Sequence, residues 1–408
     1  MHFFLQSLRA LANLRPEWHF RVIGSIALTQ LSEIKLNNIE VIYWDNDFFN
    51  QSVFSFCKSW IKWVGKEMDT GFIIQSRFEY AGLPWGKGNR IKENLSDCDI
   101  IWVPFYNIAL NNLALIEHLK GISLPVLATI HDIHPSFYPE DHTATALANY
   151  HQGFVPFIKE CHTIITHSVF QKQAIIQHLE LAPDKIRVTP QPPLIEPEKF
   201  SILCNENDAK LILRKFQINS PYAFYPASTL HVHKNHSRLL IAWSELKNIL
   251  RDECPMLVCT GKGSRTQWKR IEALIDRLSL NKHVVFTGTV DLKTLVGLFR
   301  SCDMVVLPTL FEGAGSGILT DACMQGKPVI SSYIPQILEQ VKSLGNIHVE
   351  FFDGNSVPSI VNGVYTSWKN INSISETALQ NKSIVTQNFQ DYWDNWCKVY
   401  IDTIEEIV

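Results

Sequence analysis

Short apolar runs alternating with stretches of helical spacing constrain this chain more than any other feature, because a parallel sheet is what such alternation builds. A first series of strand candidates stands at His19–Ile26, Ile39–Tyr43, Ile100–Pro104, Val126–Ile130 and Thr163–Thr166. Helical stretches such as Asn107–Leu119 and Val169–Leu179 lie between them. A second series stands at Tyr222–Pro226, Met256–Thr260, Val284–Thr287, Met304–Pro308 and Val329–Ser331, again with helices between. The two series are separated by "VTPQPPLIEPEKF", Val188 to Phe200, whose four prolines suit an extended connector. Two doubly wound α/β domains with a cleft between them is the economical expectation. "NFQDYWDNWCKVYIDTIEEIV", from Asn388, reads as a terminal helix with Tyr392, Trp396 and Tyr400 on one face. At the other end, Met1 opens almost directly into a helix over Phe3–Leu14, so the first strand and turn of a doubly wound domain are expected to be missing.

Composition narrows the partners. A net charge of −3 gives no electrostatic reason to expect nucleic acid. The nine cysteines are scattered singly and odd in number, which suits reduced thiols in the cytoplasm. No apolar run reaches the roughly eighteen residues that a spanning helix requires.

The stretch "LFEGAGSGILTDACMQGKPVIS", Leu310 to Ser331, follows the strand candidate 304–308 and so occupies a strand-to-helix turn. In open parallel sheets ligands bind at the carboxyl ends of the strands. Gly313, Gly315 and Gly317 allow close backbone approach, and a helix starting near Gly317 aims unpaired amides at that position, which suits a phosphate. Ala314 and Ser316 complete the loop. Glu312 before it and Asp321 on the helix can accept hydrogen bonds from hydroxyls, as sugar rings require. Gly326 suits the residue just past the helix end.

That stretch resembles the signature of the glycosyltransferase family 4 enzymes, whose usual form is Glu-Gly-Phe-Gly, a second Glu eight positions after the first, and Gly-Lys-Pro-Val. "FYPASTLHVHKNHSRLL" from Phe224, "VVFTGTV" from Val284, "SCDMVVLPTLFEG" from Ser301, "TIHDIHPSFYPE" from Thr129 and "TIITHSVFQKQAII" with "DKIRVTPQPP" stand at matching places. The resemblance implies the GT-B fold: 1–191 as an acceptor-side Rossmann-like domain, 192–218 as linker, 219–387 as the domain that binds a nucleotide-sugar donor, and 388–408 as a helix packing back on the first. It implies retaining transfer of a sugar from a nucleoside diphosphate to a hydroxyl of a glycan, polysaccharide or lipid-linked acceptor, with no cofactor and no bound metal. Lys234 matches the family lysine on the donor diphosphate, His131 the active-site histidine, and Glu312 the carboxylate on the donor sugar. Position 320, where the second Glu is usual, is Thr320, so Asp321 takes the ribose-holding role. The family often carries an Arg where Thr229 stands, and Lys262 in "TGKGS" is the expected replacement charge.

Other patterns have weaker claims. "HDIH" and "HVHKNH" hold closely spaced histidines, but neither has the spacing of a known zinc motif. "DND" at Asp45–Asp47 matches a metal-binding Asp-x-Asp too short to be specific. Lys58, Lys62 and Lys66 share a helical face in "SFCKSWIKWVGKEM"; a core helix with a solvated face is the plainer reading, and peripheral contact at the inner face of a membrane is the alternative. A noncatalytic scaffold of the same fold, and a sugar-nucleotide epimerase or hydrolase, stand as the competing functions.

Overall fold

The computed structural model describes residues 2–24, 38–43, 98–103, 124–219 and 221–408. The expected helix 107–119, the lysine-bearing stretch 55–68 and the Asp45–Asp47 pattern lie outside them. The chain folds as two compact units, Met1–Ile130 with Thr143–Ile165 and Cys397–Val408, and His131–His142 with Thr166–Trp396.

In the first unit the helix His2–Leu14 buries Leu8 and Leu11. Its end is held by Asn38, whose side-chain amide donates to the carbonyls of Ala12, Arg15 and Trp18 at 3.0–3.2 Å. Strands β1 (Phe20–Gly24) and β2 (Ile39–Tyr43) pair in parallel. A second sheet holds β3 (Ile101–Val103), β4 (Val126–Ile130) and β5 (Thr163–Thr166) in that order. Between β4 and β5, Thr143 caps a helical run in which Tyr150, Phe154, Phe157 and Ile158 are buried. Cys397–Val408, the end of the helix Phe389–Ile407, belongs to this unit. There Thr129 Oγ1 lies 2.7 Å from the buried Tyr400 hydroxyl and accepts from Trp102 Nε1 at 3.1 Å.

The second unit contributes β6 (Ile186–Val188) and then a six-stranded sheet: β7 (Tyr222–Tyr225), β8 (Met256–Cys259), β9 (Val284–Phe286), β10 (Met304–Leu307), β11 (Val329–Ser332) and β12 (Glu350–Phe352). Its order is β12-β11-β10-β7-β8-β9 and its pairings are all parallel. Strands covered on both faces should read as continuous apolar runs, and β7 and β10 are buried at every position. The order is that of a dinucleotide-binding sheet, with reversal between β7 and β10.

Several elements differ from the reading of the sequence. The connector at 188–200 is not extended throughout, because Pro197 opens a helix over Pro197–Leu203. Proline lacks only an N–H that a first helical turn leaves unused, so it starts a helix as readily as it stops one. Asn205 then caps a second helix, Glu206–Lys215, and Phe200, Cys204, Ala209 and Ile212 join the core of the unit. β12 and the helices Val357–Lys369 and Ile371–Gln387 were not anticipated individually.

Thr129→Val removes two hydrogen bonds beneath Tyr400, whereas Tyr400→Phe removes one. With net worths near 1 kcal/mol per buried bond, chemical denaturation should give losses of about 2 and about 1 kcal/mol, in that order.

Candidate functional site

The reversal between β7 and β10 puts two βα loops side by side, because the chains leaving these neighbouring strands connect in opposite directions. Lys234 stands on the first loop, and Glu312 through Gly317 on the second. The structure brings them into contact: Lys234 Nζ donates to Glu312 Oε1 at 2.5 Å, with both side chains largely buried.

Lys234 ends a single 3-10 turn, Val232–Lys234, and its backbone is held at several points. Tyr225 Oη donates to its carbonyl at 2.8 Å, and Leu310 N donates to His233 O at 2.8 Å. The following Asn235 takes a left-handed conformation (φ 61°) and is buried. Its side-chain amide donates to Pro308 O at 2.9 Å and Gly354 O at 2.7 Å, tying the turn to the ends of two strands.

The glycine loop is shaped by contact on both sides. A Cβ on Gly313 would meet the carbonyl oxygen of His131 at 2.5 Å, and Ser168 Oγ donates to Gly313 O at 3.0 Å. His131, expected in the site from sequence, therefore packs directly on the loop. Gly315 has φ +82°, where a side chain is strained. Gln340 clamps the next residue, accepting from Ser316 N at 2.7 Å and donating to its carbonyl at 2.9 Å. The helix Gly317–Met324 begins there without a side-chain cap. The amides of Gly317 and Ile318 have no hydrogen-bond partner among the described residues, so the helix start keeps its capacity for an anion. Its far end closes on Gly326 (φ +68°), with Gly326 N to Cys323 O and Lys327 N to Ala322 O, the paired bonds of a Schellman ending.

Thr320 is buried and its hydroxyl turns back to Gly317 O at 2.8 Å. Asp321 keeps partial exposure, and its carboxylate has no hydrogen-bond or ionic partner among the described residues. Burial without a compensating donor pushes its carboxyl up to about 7. Lys262 is exposed, and its backbone bridges that of Thr229, with Lys262 N donating to Ser228 O and Leu230 N to Lys262 O. Lys262 thus lies beside Thr229 along the backbone. Ala314 lies partly exposed between the two structured glycines.

Reading motif by motif missed a polar cluster behind Lys234. Asp141 Oδ1 accepts from Val232 N at 2.6 Å and its Oδ2 lies 2.8 Å from His233 Nδ1. These partners hold the Asp141 carboxyl well below the usual range despite its burial, and burial lowers His233 to about 4. Asn235, Gln340 and this cluster act through long-range contacts, for which the sequence offered only the unexplained histidines of "HDIH" and "HVHKNH".

A parallel sheet whose switch point carries a lysine, a carboxylate and an uncapped helix start has the make-up of an anion-accepting α/β domain. Residues 211–376 match the family model of Glycosyl transferases group 1. An uncharacterized glycosyltransferase of Methanocaldococcus jannaschii is 29% identical over 155 residues, which are 38% of this chain and 37% of that protein. Among solved structures, a glycosyltransferase from Rickettsia africae aligns with TM-score 0.65 at 15% identity, covering 98% of this chain and 93% of its own. Anabaena HepE in complex with UDP and glucose aligns with TM-score 0.66 at 15% identity, covering 98% and 95%. The fold is therefore GT-B. Among the described residues no helix is long and apolar enough to cross a membrane.

A carboxyl at about 7 when folded and near 3.8 when unfolded opposes folding at pH 8, where the folded state must hold the buried charge. The penalty fades as pH falls through 7 and vanishes below about 4. Asp321→Asn should raise the stability of the unliganded protein by about 2–4 kcal/mol at pH 8, the lower figure reflecting the residue's partial exposure to water. Thermal melts at pH 8 and pH 4.5 check this, the gain being much smaller at the lower pH.

Proposed function

We propose that this protein transfers a sugar from a nucleoside diphosphate donor to a hydroxyl acceptor with retention, in the manner of glycosyltransferase family 4. The observation that carries the reading is the meeting of Lys234 with Glu312, on the loop that leads into an uncapped helix start. Breaking the glycosidic bond leaves an oxocarbenium-like sugar and a diphosphate gaining negative charge. Lys234 and the amides of Gly317 and Ile318 meet that diphosphate with positive charge fixed in advance, the usual main source of catalytic stabilisation. In the free protein Glu312 holds Lys234 in place; the donor exchanges that partner for its phosphates and frees Glu312 for sugar hydroxyls. His131, packed against Gly313, faces the same sugar, and the unpartnered Asp321 accepts from the ribose. Lys262 adds charge at the diphosphate. The leaving phosphate itself serves as base for the acceptor hydroxyl, so no side chain is assigned that role.

The Anabaena complexes carry UDP, UDP and glucose, or UDP-glucose, which makes uridine nucleotides the first donors to try here. The acceptor class is a glycan, polysaccharide or lipid-linked hydroxyl. The reaction is placed in the cytoplasm, with access to the inner face of the membrane if the acceptor is lipid-linked.

Titration with UDP, GDP, ADP and their sugar conjugates, followed by thermal shift, should reveal one preferred base. At 100 times its dissociation constant a ligand adds about 2.7 kcal/mol of stability. Lys234→Ala should lower turnover by at least about 100- to 1000-fold, the cost of losing one preorganised donor. No shift with any nucleotide would favour a noncatalytic scaffold, and a Lys234→Ala rate near that of the parent would remove Lys234 from the mechanism.

A further inference from the structure

The cluster behind Lys234 contains a geometric contradiction. His134 Nε2, His233 Nδ1 and Asp141 Oδ2 form a triangle with edges of 2.8 Å (His134–His233), 2.8 Å (His233–Asp141) and 3.3 Å (His134–Asp141). A hydrogen bond along an edge needs a proton on one of its two atoms and none on the other. Three atoms in a ring cannot alternate in this way. If His233 donates to Asp141, the bare nitrogen of His134 faces the carboxylate. If both imidazoles donate to Asp141, their two N–H groups face each other across 2.8 Å. If His134 donates to His233, the bare nitrogen of His233 faces the carboxylate. Every choice leaves one edge repulsive, in surroundings where His134 and His233 are buried and the Asp141 side chain is almost wholly covered.

A cation at the centre removes the contradiction, because all three atoms then act as electron-pair donors. The geometry points to a binding site for one divalent transition-metal ion of the zinc class, held by His134 Nε2, His233 Nδ1, Asp141 Oδ2 and His231. Potential ligand atoms of these four residues all lie within 4.8 Å of one another. Three imidazoles and one carboxylate suit zinc and its neighbours rather than magnesium or calcium. Ligand atoms around a tetrahedral zinc stand about 3.4 Å apart, for bonds of about 2.0–2.2 Å, so the triangle need widen by only about half an ångström.

The surroundings have the features that metal sites use. His134 Nδ1 lies 2.7 Å from His142 Nε2, so an N–H there can donate to His142 and leave Nε2 bare for the metal. The second carboxylate oxygen of Asp141 is fixed by Val232 N. Taken separately, "HDIH" and "HVHKNH" hold no ligand spacing; the fold brings them together across 99 residues. The ion would join the segment 134–141 to the turn that ends at Lys234, which makes it a clamp on that lysine's backbone. It is distinct from the donor-phosphate chemistry, and its test measures no sugar transfer.

The test starts with the full chain treated with chelator and dialysed, then titrated with Co²⁺ alone and Zn²⁺ alone. The expected result is one Co²⁺ per chain with the visible d–d absorption of a four- or five-coordinate nitrogen-rich site, displaced by one equivalent of Zn²⁺, together with a raised melting temperature. His231→Ala, which alters a half-exposed ligand, should weaken uptake at least tenfold, and His134→Ala with Asp141→Asn should abolish it. Failure of the parent protein to take up either ion stoichiometrically overturns the proposal, whether or not the variants fold. Uptake that persists unchanged in the double variant, with its circular dichroism intact, overturns it equally.

Discussion

The pairing of β7 with β10 is the constraint on which the rest of the candidate site depends. Consecutive parallel strands are normally joined by crossovers that cover the gap between their ends. Where chain order reverses, the two loops diverge and the gap stays open. That one topological fact explains why residues 78 positions apart, Lys234 and Glu312, form an ion pair. It also fixes what must be done locally. Each loop has to be rigid without the support of a crossing helix, and each solves the problem with polar side chains anchored to backbone: Asn235 for the first, Gln340 for the second.

The site balances satisfied and unsatisfied groups. Asn235 and Gln340 meet their partners fully, whereas the Asp321 carboxylate and the amides at Gly317 and Ile318 meet none among the described residues. Polar groups left without protein partners at a loop mouth are free to meet a ligand. The unpaired groups here belong to a single eight-residue helix, Gly317–Met324, at its start and second turn. The location agrees with the phosphate-and-sugar chemistry proposed for it.

Much of this was legible in the sequence, for reasons that can be traced. Strands buried on both faces announce themselves as apolar runs, and Val126–Ile130 and Thr163–Thr166 stand where those runs do. The turn from Glu312 into the helix Gly317–Met324 was readable because its glycines and the following apolar run are consecutive residues. Of the neighbouring pair, Thr320 turns its hydroxyl inward to Gly317 O, a detail that spacing alone does not carry. The helices within 192–218 were not legible, since prolines at helix starts and prolines in extended chain look alike. Nor was the His134–Asp141–His233 cluster, which exists only once two loops meet. Pairwise patterns of spacing carry no information about such meetings.

Gly313 and Gly315 are glycines for different reasons, and this separates their evolutionary freedom. Gly315 is demanded first by a backbone angle, and a Cβ there would meet only the end of the Gln340 side chain, at 2.9 Å. Gly313 needs no unusual angle; its missing side chain is space already occupied by His131 and Asp132. No residue of the ordinary alphabet is smaller, so position 313 can change only if the segment at 131–132 retreats with it. Sequence drift at these two distant places is thereby coupled through a volume and not through any bond.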